Sequence, residues 1–381
     1  MRPPRSEHGV PRRESRHVLA DPAAQPHRES CSRVALPSSI VALVGRSIRR
    51  RRRRRWVTVL AVAAALANAP FSAGAQDVDG QGASFLLLPV GARALSFGGA
   101  ASTLVEGTES LFWNPAAVAR TAHGEVAVHH SQTVAATNDA LVVVVPIRGR
   151  IVVGLSTMLV DLGAQDVVPP DGGPPIGSLL ARDVVVGASA AVPIGARLDV
   201  GATVKLLQVR VDCTGQCTSV PVSASTATAF DIGARFRVPG GLPFSVGVMV
   251  RNLGPKLALR DRAEKDALPT RWQAGVAYEV LQVERYAPDV QLRLAADLGS
   301  DLDYDVAGLR VGGEAVWQNR VALRGGYVFR DRAGVTAQAS GPTVGLGVTA
   351  GRFVVDLARE FQGLSVDAGE PPTHLSLRFL F

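Results

Sequence analysis

The chain has 381 residues, 19% of them charged and 47% hydrophobic, with 39 glycines and a net charge of +8; its mean hydropathy of +0.17 is apolar for a soluble protein. No uncharged run after residue 80 reaches the roughly 20 residues that a membrane helix needs, which leaves a β-rich globule or a membrane barrel. The first 75 residues hold 15 arginines and 4 acidic residues, so the remaining 26 basic and 29 acidic residues make the rest slightly acidic. The basic excess belongs to the N-terminus, and the rest has no basic patch with interleaved aromatics, which argues against nucleic-acid binding.

Residues 1–45 show no periodicity and are rich in Arg, Pro, Ser and His. They read as an upstream start or as a long leader, disordered in either case. Residues 46–75 have the parts of a secretory signal peptide: the arginine run Arg49–Arg55, the apolar stretch Trp56–Ala67 and the small-residue site Ala73-Gly74-Ala75. Cleavage is expected after Ala75. No cysteine follows the site, which argues against a lipoprotein.

Residues 76–121 are expected to form a plug. The stretch Gly91–Ala119 is too rich in Gly and Ala for a strand and is interrupted by Gly107 and Pro115. Gly91, Gly98 and Gly99 permit tight turns and close packing. Pro115 biases Asn114 away from helix, so the step behind Phe112 and Trp113 is expected to end a short turn before the first strand. The plug is expected to enter from the short-turn side. It either positions structure or moves as a gate, and its candidate residues are Gly91, Arg93, Gly98, Gly99, Trp113, Asn114 and Pro115.

Residues 122–381 read as two-residue periodicities separated by turn signals. The predicted strands are His123–Thr133, Asp139–Ile147, Arg150–Val160, Arg182–Ile194, Leu198–Val211, Ser225–Val238, Pro243–Leu253, Thr270–Val280, Asp289–Ser300, Ala307–Gln318, Arg320–Arg330, Pro342–Ala350, Arg352–Phe361 and Thr373–Phe381. Connections after even strands are tight, as at Arg148-Gly149; most after odd strands are longer, such as Asp161–Ala181, of which Asp161–Gly177 is expected to be a mobile loop or lid. Short turns on one side and long loops on the other mark an outer-membrane barrel, with the short side in the periplasm. Arg310 and Glu314 share one face of their strand, and Val311, Ala315 and Trp317 the other. Lys205 lies with Thr203, opposite Arg210. The fold class is therefore all-β: a transmembrane antiparallel barrel of about 14 strands with an N-terminal plug in the lumen.

In the last strand Leu375, Leu377, Phe379 and Phe381 lie on one face and His374, Ser376, Arg378 and Leu380 on the other. An alternating final strand with a terminal aromatic resembles the signal by which barrel assembly machinery recognises its clients. Cys213 and Cys217 enclose a polar loop; they read as a disulfide, as free thiols or as part of a metal site, for which two further ligands are missing. Adjacent His129 and His130 point to opposite faces and cannot chelate together. Asp301, Asp303 and Asp305 lack the glycine and closing glutamate of a calcium loop. There is no G-x-S-x-G elbow, phosphate loop or zinc spacing, so the chain reads as a non-enzyme without cofactor or metal.

The pattern G-A-R-A-L-x-x-G-G-A (Gly91–Ala100) and then L-x-W-N-P-A (Leu111–Ala116) resembles the PorV/PorQ family of outer-membrane barrels, which are related to FadL-type channels for hydrophobic compounds. The resemblance continues through Val250–Pro255, Leu268–Arg271, Arg310–Glu314 and Leu323–Tyr327. It implies a barrel in the outer membrane of a Gram-negative-type bacterium, in contact with membrane lipid. The PorV likeness implies a non-enzymatic partner in type IX-like secretion, binding secreted proteins or secretion-system subunits. The FadL likeness implies passive uptake of hydrophobic small molecules. A structural barrel without transport is the third reading.

Overall fold

A computed structural model describes residues 82–133, 136–169, 171–216, 223–240, 243–258, 265–300, 307–329, 340–361 and 371–381. The chain divides into two compact units, 1–72 and 73–381, and the described residues belong to the second. The expected leader and signal peptide, Cys217 and the Asp301–Asp305 loop lie outside the described residues.

The strands are β1 (Glu125–Gln132), β2 (Thr137–Ile147), β3 (Ile151–Val167), β4 (Gly177–Ile194), β5 (Leu198–Gly215), β6 (Ser223–Arg237), β7 (Phe244–Leu253), β8 (Leu257–Ala258), β9 (Lys265–Asp266), β10 (Arg271–Glu279), β11 (Val290–Ser300), β12 (Ala307–Trp317), β13 (Val321–Phe329), β14 (Gly341–Ala350), β15 (Phe353–Glu360) and β16 (Thr373–Leu380). All but β8 and β9 form one closed antiparallel barrel in which each strand pairs with its neighbours in sequence and β1 pairs with β16. β8 and β9 make a separate two-stranded hairpin inside the connection from β7 to β10. The barrel thus has the fourteen strands that the periodicities predict.

Closure follows from alternation. Along β15 every second residue is buried, and its exposed positions include Phe353, Val355 and Leu357. The same holds across the wall: Leu155, Leu206, Ile232 and Leu323 are each more than half exposed, while Thr203, Asp231, Glu314 and Asp356 point inward and are buried. Apolar-out, polar-in strands suit a wall with lipid outside; a charged side chain on the lipid face near the midplane would cost about 2–4 kcal/mol. A closed barrel also leaves no unpaired backbone edge in hydrocarbon.

The ladder corrects one loop. In the connection Asp161–Ala181, of which Asp161–Gly177 is expected to be a mobile loop or lid, much of the chain is strand: β3 and β4 remain paired out to Val167 and Gly177. The register slips between Asp161 and Ala164, where Gly163 takes φ +74°. A bulge with a residue in the left-handed region bends a ladder without ending it. The turn signals Pro169 and Gly172-Gly173 shape only the tip.

Inside, the chain from Gly82 to Thr121 fills the barrel. It holds a 3-10 turn (Ser84–Leu87), the one-turn helix α1 (Ala92–Ser96) and two further 3-10 turns (Thr108–Phe112 and Pro115–Val118). Its described start lies at the long-loop end, where the Gly82 N–H donates to the Ala267 carbonyl beside β9. Its other end lies at the short-turn rim, where Arg120 pairs with Asp199 at 2.8 Å and donates to the Gly195 carbonyl. The described plug therefore runs from the long-loop end towards the short turns, and does not begin at the short-turn side as expected.

Candidate functional site: the plugged lumen

Three cross-strand glycine pairs seat the plug: Gly312 of β12 with Gly326 of β13, Gly201 of β5 with Gly233 of β6, and Gly247 of β7 with Gly275 of β10, which lies against Ser102. The Phe97 backbone lies against the first pair: a Cβ at Gly312 would stand 2.6 Å from the Phe97 carbonyl oxygen, and one at Gly326 would collide with the Phe97 and Gly98 backbone. The second pair receives Asn114, Pro115 and Ala116, with a Cβ at Gly201 only 2.5 Å from the Pro115 carbonyl carbon. A strand glycine often marks close approach of another backbone, and that is its role here.

The plug residues named from sequence come together around these seats. Gly91 precedes α1 at φ +100°, with the Glu109 side chain against it. Glu109 replaces the missing cap: its carboxylate accepts the Arg93 and Ala94 N–H groups at 3.3 and 2.9 Å. Gly98 and Gly99 turn the chain at φ +66° and +76°. The Gly99 carbonyl accepts from Gln273 at 2.8 Å. Trp113 donates through Nε1 to the Val90 carbonyl at 2.9 Å, and the Arg251 guanidinium lies 5.1 Å from its ring centroid. Asn114 is extended, as the following proline requires, and stands between two 3-10 turns: it ends the first and caps the second by accepting the Ala116 N–H at 3.1 Å. Its Nδ2 donates to the Ser102 carbonyl at 2.7 Å.

One arc of the wall, β11 to β16, grips α1 with charge. Arg93 reaches Glu314 at 3.2 Å. Glu314 also receives Arg293 at 2.7 Å and Arg324 at 2.6 Å, and Arg324 continues to Asp356, which pairs with Arg378. Burial works against the Arg93 charge, but Glu314, Asp356 and Glu106 outweigh it and hold the guanidinium above the usual arginine value. For Glu109, burial and then the nearby Asp356 carboxylate push the carboxyl up, against Arg378, the Ala94 N–H and Arg93. Neutral bonds complete the grip: Ser376 Oγ accepts the Ala92 N–H at 2.8 Å, Thr343 donates to the Ser96 carbonyl at 3.1 Å, and Asp297 accepts the Ser102 N–H at 2.7 Å.

The opposite arc, β2 to β4, is predominantly apolar. Ala140, Val142, Val144, Val152, Met158, Val160, Val185 and Ala191 are buried on its inner face. Phe85, Leu86, Leu88 and Phe112 of the plug pack against its outer part, together with Leu207 and Ala229. Between plug and wall lies a cavity of about 30 Å³ lined by Leu86, Leu88, Phe112, Met158 and Val185. Lys205 and Arg251 stand at its polar edge. Lys205 is held by Asp231 at 2.6 Å and Asn252 at 2.9 Å, and Arg251 donates to the Phe112 carbonyl at 2.8 Å.

The remaining sequence candidates lie on the wall. Leu375, Leu377 and Phe381 are about half exposed on the outer face, while His374 and Ser376 are buried in the lumen; β16 pairs with β1 along its whole length. Cys213 lies in β5 and is disulfide-bonded; Cys217 lies outside the described residues. His129 is buried towards the lumen and His130 pairs with Asp139 on the other face, as adjacent strand residues must. The wall glycines, Glu109 and Asp297 were missed as site residues. The signal for Gly312 and Gly326 was mid-strand glycine within the very R-V-G-G-E and L-R-G-G-Y motifs; Gly201, Gly233, Gly247, Gly275, Glu109 and Asp297 lie outside these motifs.

The chain is similar in structure to the monoaromatic hydrocarbon channel CymD, with a TM-score of 0.53 and 13% identity over 77% of this chain and 98% of that one. It is also similar to the Pseudomonas putida toluene transporter TodX, with a TM-score of 0.51 and 10% identity over 77% and 97% of the two chains, and to a deletion mutant of TodX, with a TM-score of 0.52 and 12% identity over the same shares. The chain shares its barrel fold with these proteins. No protein-family model and no curated protein matches the chain. The FadL-type part of the motif resemblance agrees with this fold; its narrower PorV/PorQ part has no counterpart among these neighbours.

Proposed function

We propose that this protein is a passive outer-membrane channel for hydrophobic small molecules, and that its route is the apolar lane between the plug and β2–β4. The observation that carries this reading is the lumen's division: the plug is ion-paired to β12, β5 and β6, whereas against β2–β4 it makes, among the described residues, one hydrogen bond, Asn138 to the Pro89 carbonyl at 3.4 Å, and otherwise apolar contact. Apolar contact lacks direction, so Leu86, Leu88 and Phe112 can be replaced by a ligand of similar character with little lost. The small cavity is then a closed state of the lane. The likeness to hydrocarbon channels supports the same reading.

The PorV/PorQ reading, a barrel that holds secreted proteins or secretion-system subunits, rests on the motifs alone and is the weaker. The final strand is proposed to carry the assembly signal under either reading. Purified protein in liposomes should speed entry of a hydrophobic fluorescent tracer, and Leu88→Trp should slow it severalfold. Tracer entry no faster than in empty liposomes, with export of surface proteins lost on deletion, would sink the channel reading.

A further inference from the structure

We propose that the short-turn rim is a docking ring for the phosphates of anionic phospholipids. Five of the six short turns carry an exposed arginine: Arg148 and Arg150 between β2 and β3, Arg197 between β4 and β5, Arg285 before β11, Arg320 before β13 and Arg352 before β15. Among the described residues, the ion pairs at this end join Arg120, Arg235 and Arg237 to Asp199 and Arg235 also to Glu106, and none involves these six. The exposed acids nearby among the described residues are Glu106, Glu279 and Asp289. The rim therefore keeps a positive excess within a slightly acidic barrel.

Position makes this excess specific. Each turn sets its arginine beside an exposed apolar or aromatic residue of the wall: Ile147 by Arg148, Ile194 by Arg197, Tyr286 by Arg285, Trp317 by Arg320 and Phe353 by Arg352. Large side chains of this kind sit at the edge of the hydrocarbon, and the guanidinium next to them falls at headgroup level, where it can take a phosphate through two parallel N–H bonds. Neighbouring strands lie about 4.8 Å apart, so successive turns are about 10 Å apart along the rim, near one Debye length at physiological salt. At the long-loop end the exposed arginines Arg182 and Arg210 are instead paired with Asp161 and Asp212, beside the exposed Lys256 and Lys265 of the β7–β10 connection. The occupant is therefore the phospholipid leaflet that the short turns meet. This holds whether or not the lumen conducts.

Native mass spectrometry of the detergent-purified full barrel, given equal phosphatidylglycerol and phosphatidylcholine, tests it. Each arginine near an anionic surface contributes enough for a preference of about fivefold for phosphatidylglycerol. Replacing all six with Gln should bring the ratio to parity, while the Arg182→Gln, Arg210→Gln pair at the other end should leave it unchanged. Heat-modifiable migration on gels reports folding; should the sixfold variant fail to fold, the Arg320→Gln, Arg352→Gln pair should still lower the ratio. No preference in the native protein, a preference kept by the folded variants, or one lost through the long-loop pair would overturn the proposal.

Discussion

The two arcs of the lumen do opposite things with the same backbone. The inner face of β12–β16 carries Arg310, Glu314, Arg324, Asp356, Glu360 and Arg378, whereas the inner face of β2–β4 carries Asp183 as its one charge among the described residues. The charged arc fixes α1 by directed bonds, and a directed bond fails if its partner moves. The apolar arc holds Phe85, Leu86, Leu88 and Leu111 by contact area, which tolerates sliding. The plug is thus anchored by charge to β12, β5 and β6 and rests on β2–β4 mainly by apolar contact.

The largest expected effect comes from Glu314→Ala. It leaves Arg93, Arg293 and Arg324 around a missing carboxylate, and removing one member of a buried charge network costs about 3–5 kcal/mol. Thermal unfolding followed by heat-modifiable migration should show a clear drop, and single-channel recordings should show a plug that no longer stays seated. If Glu314→Ala melted like the native barrel, the charged arc would not be the anchor.

Gly326→Val should act next. Its side chain meets the Phe97 backbone, and overpacking of this kind costs about 1–3 kcal/mol. Protease accessibility of the plug should rise while strand content by circular dichroism stays unchanged. The outcome that would break the seat is a plug as protected as before.

Glu109 sharpens the account of the anchor. Glu109→Ala removes the acceptor of two buried N–H groups, at about 1–3 kcal/mol for a group left unsatisfied, whereas Glu109→Gln keeps a carbonyl oxygen in place. Because the folded carboxyl sits above the usual glutamate value, the stability tied to it is present at acidic pH and is lost as pH rises through the folded value. Melting at pH 5 and pH 8 should show this slope in the native barrel and not in Glu109→Gln. The smallest effect belongs to the apolar arc: Leu88→Ala should barely change melting but should raise tracer entry about twofold or more, since it enlarges the lane. Slower entry in Leu88→Ala would place the route elsewhere.

The alternation of Leu375, Leu377 and Phe379 against His374, Ser376 and Arg378 was enough to assign inside and outside in β16, because a strand has only two faces. Loop lengths were enough to tell one end of the barrel from the other. The Asp161–Ala181 segment was misread because Pro and Gly signals mark a turn without marking how much of the flanking chain stays paired. Local pattern also named Gly98, Trp113 and Asn114, but not what they touch.

The sequence by itself determined a wall of about fourteen strands and its lipid face, because both follow from periodicity within a few residues, and it marked the plug by a Gly- and Ala-rich stretch that breaks that periodicity. Only the tertiary structure decided that Arg93 meets Glu314 and that Phe97 rests on Gly312 and Gly326. It alone divided the lumen into a charged and an apolar arc. Those contacts join residues more than 200 positions apart, and they depend on barrel closure and register, which no local pattern encodes.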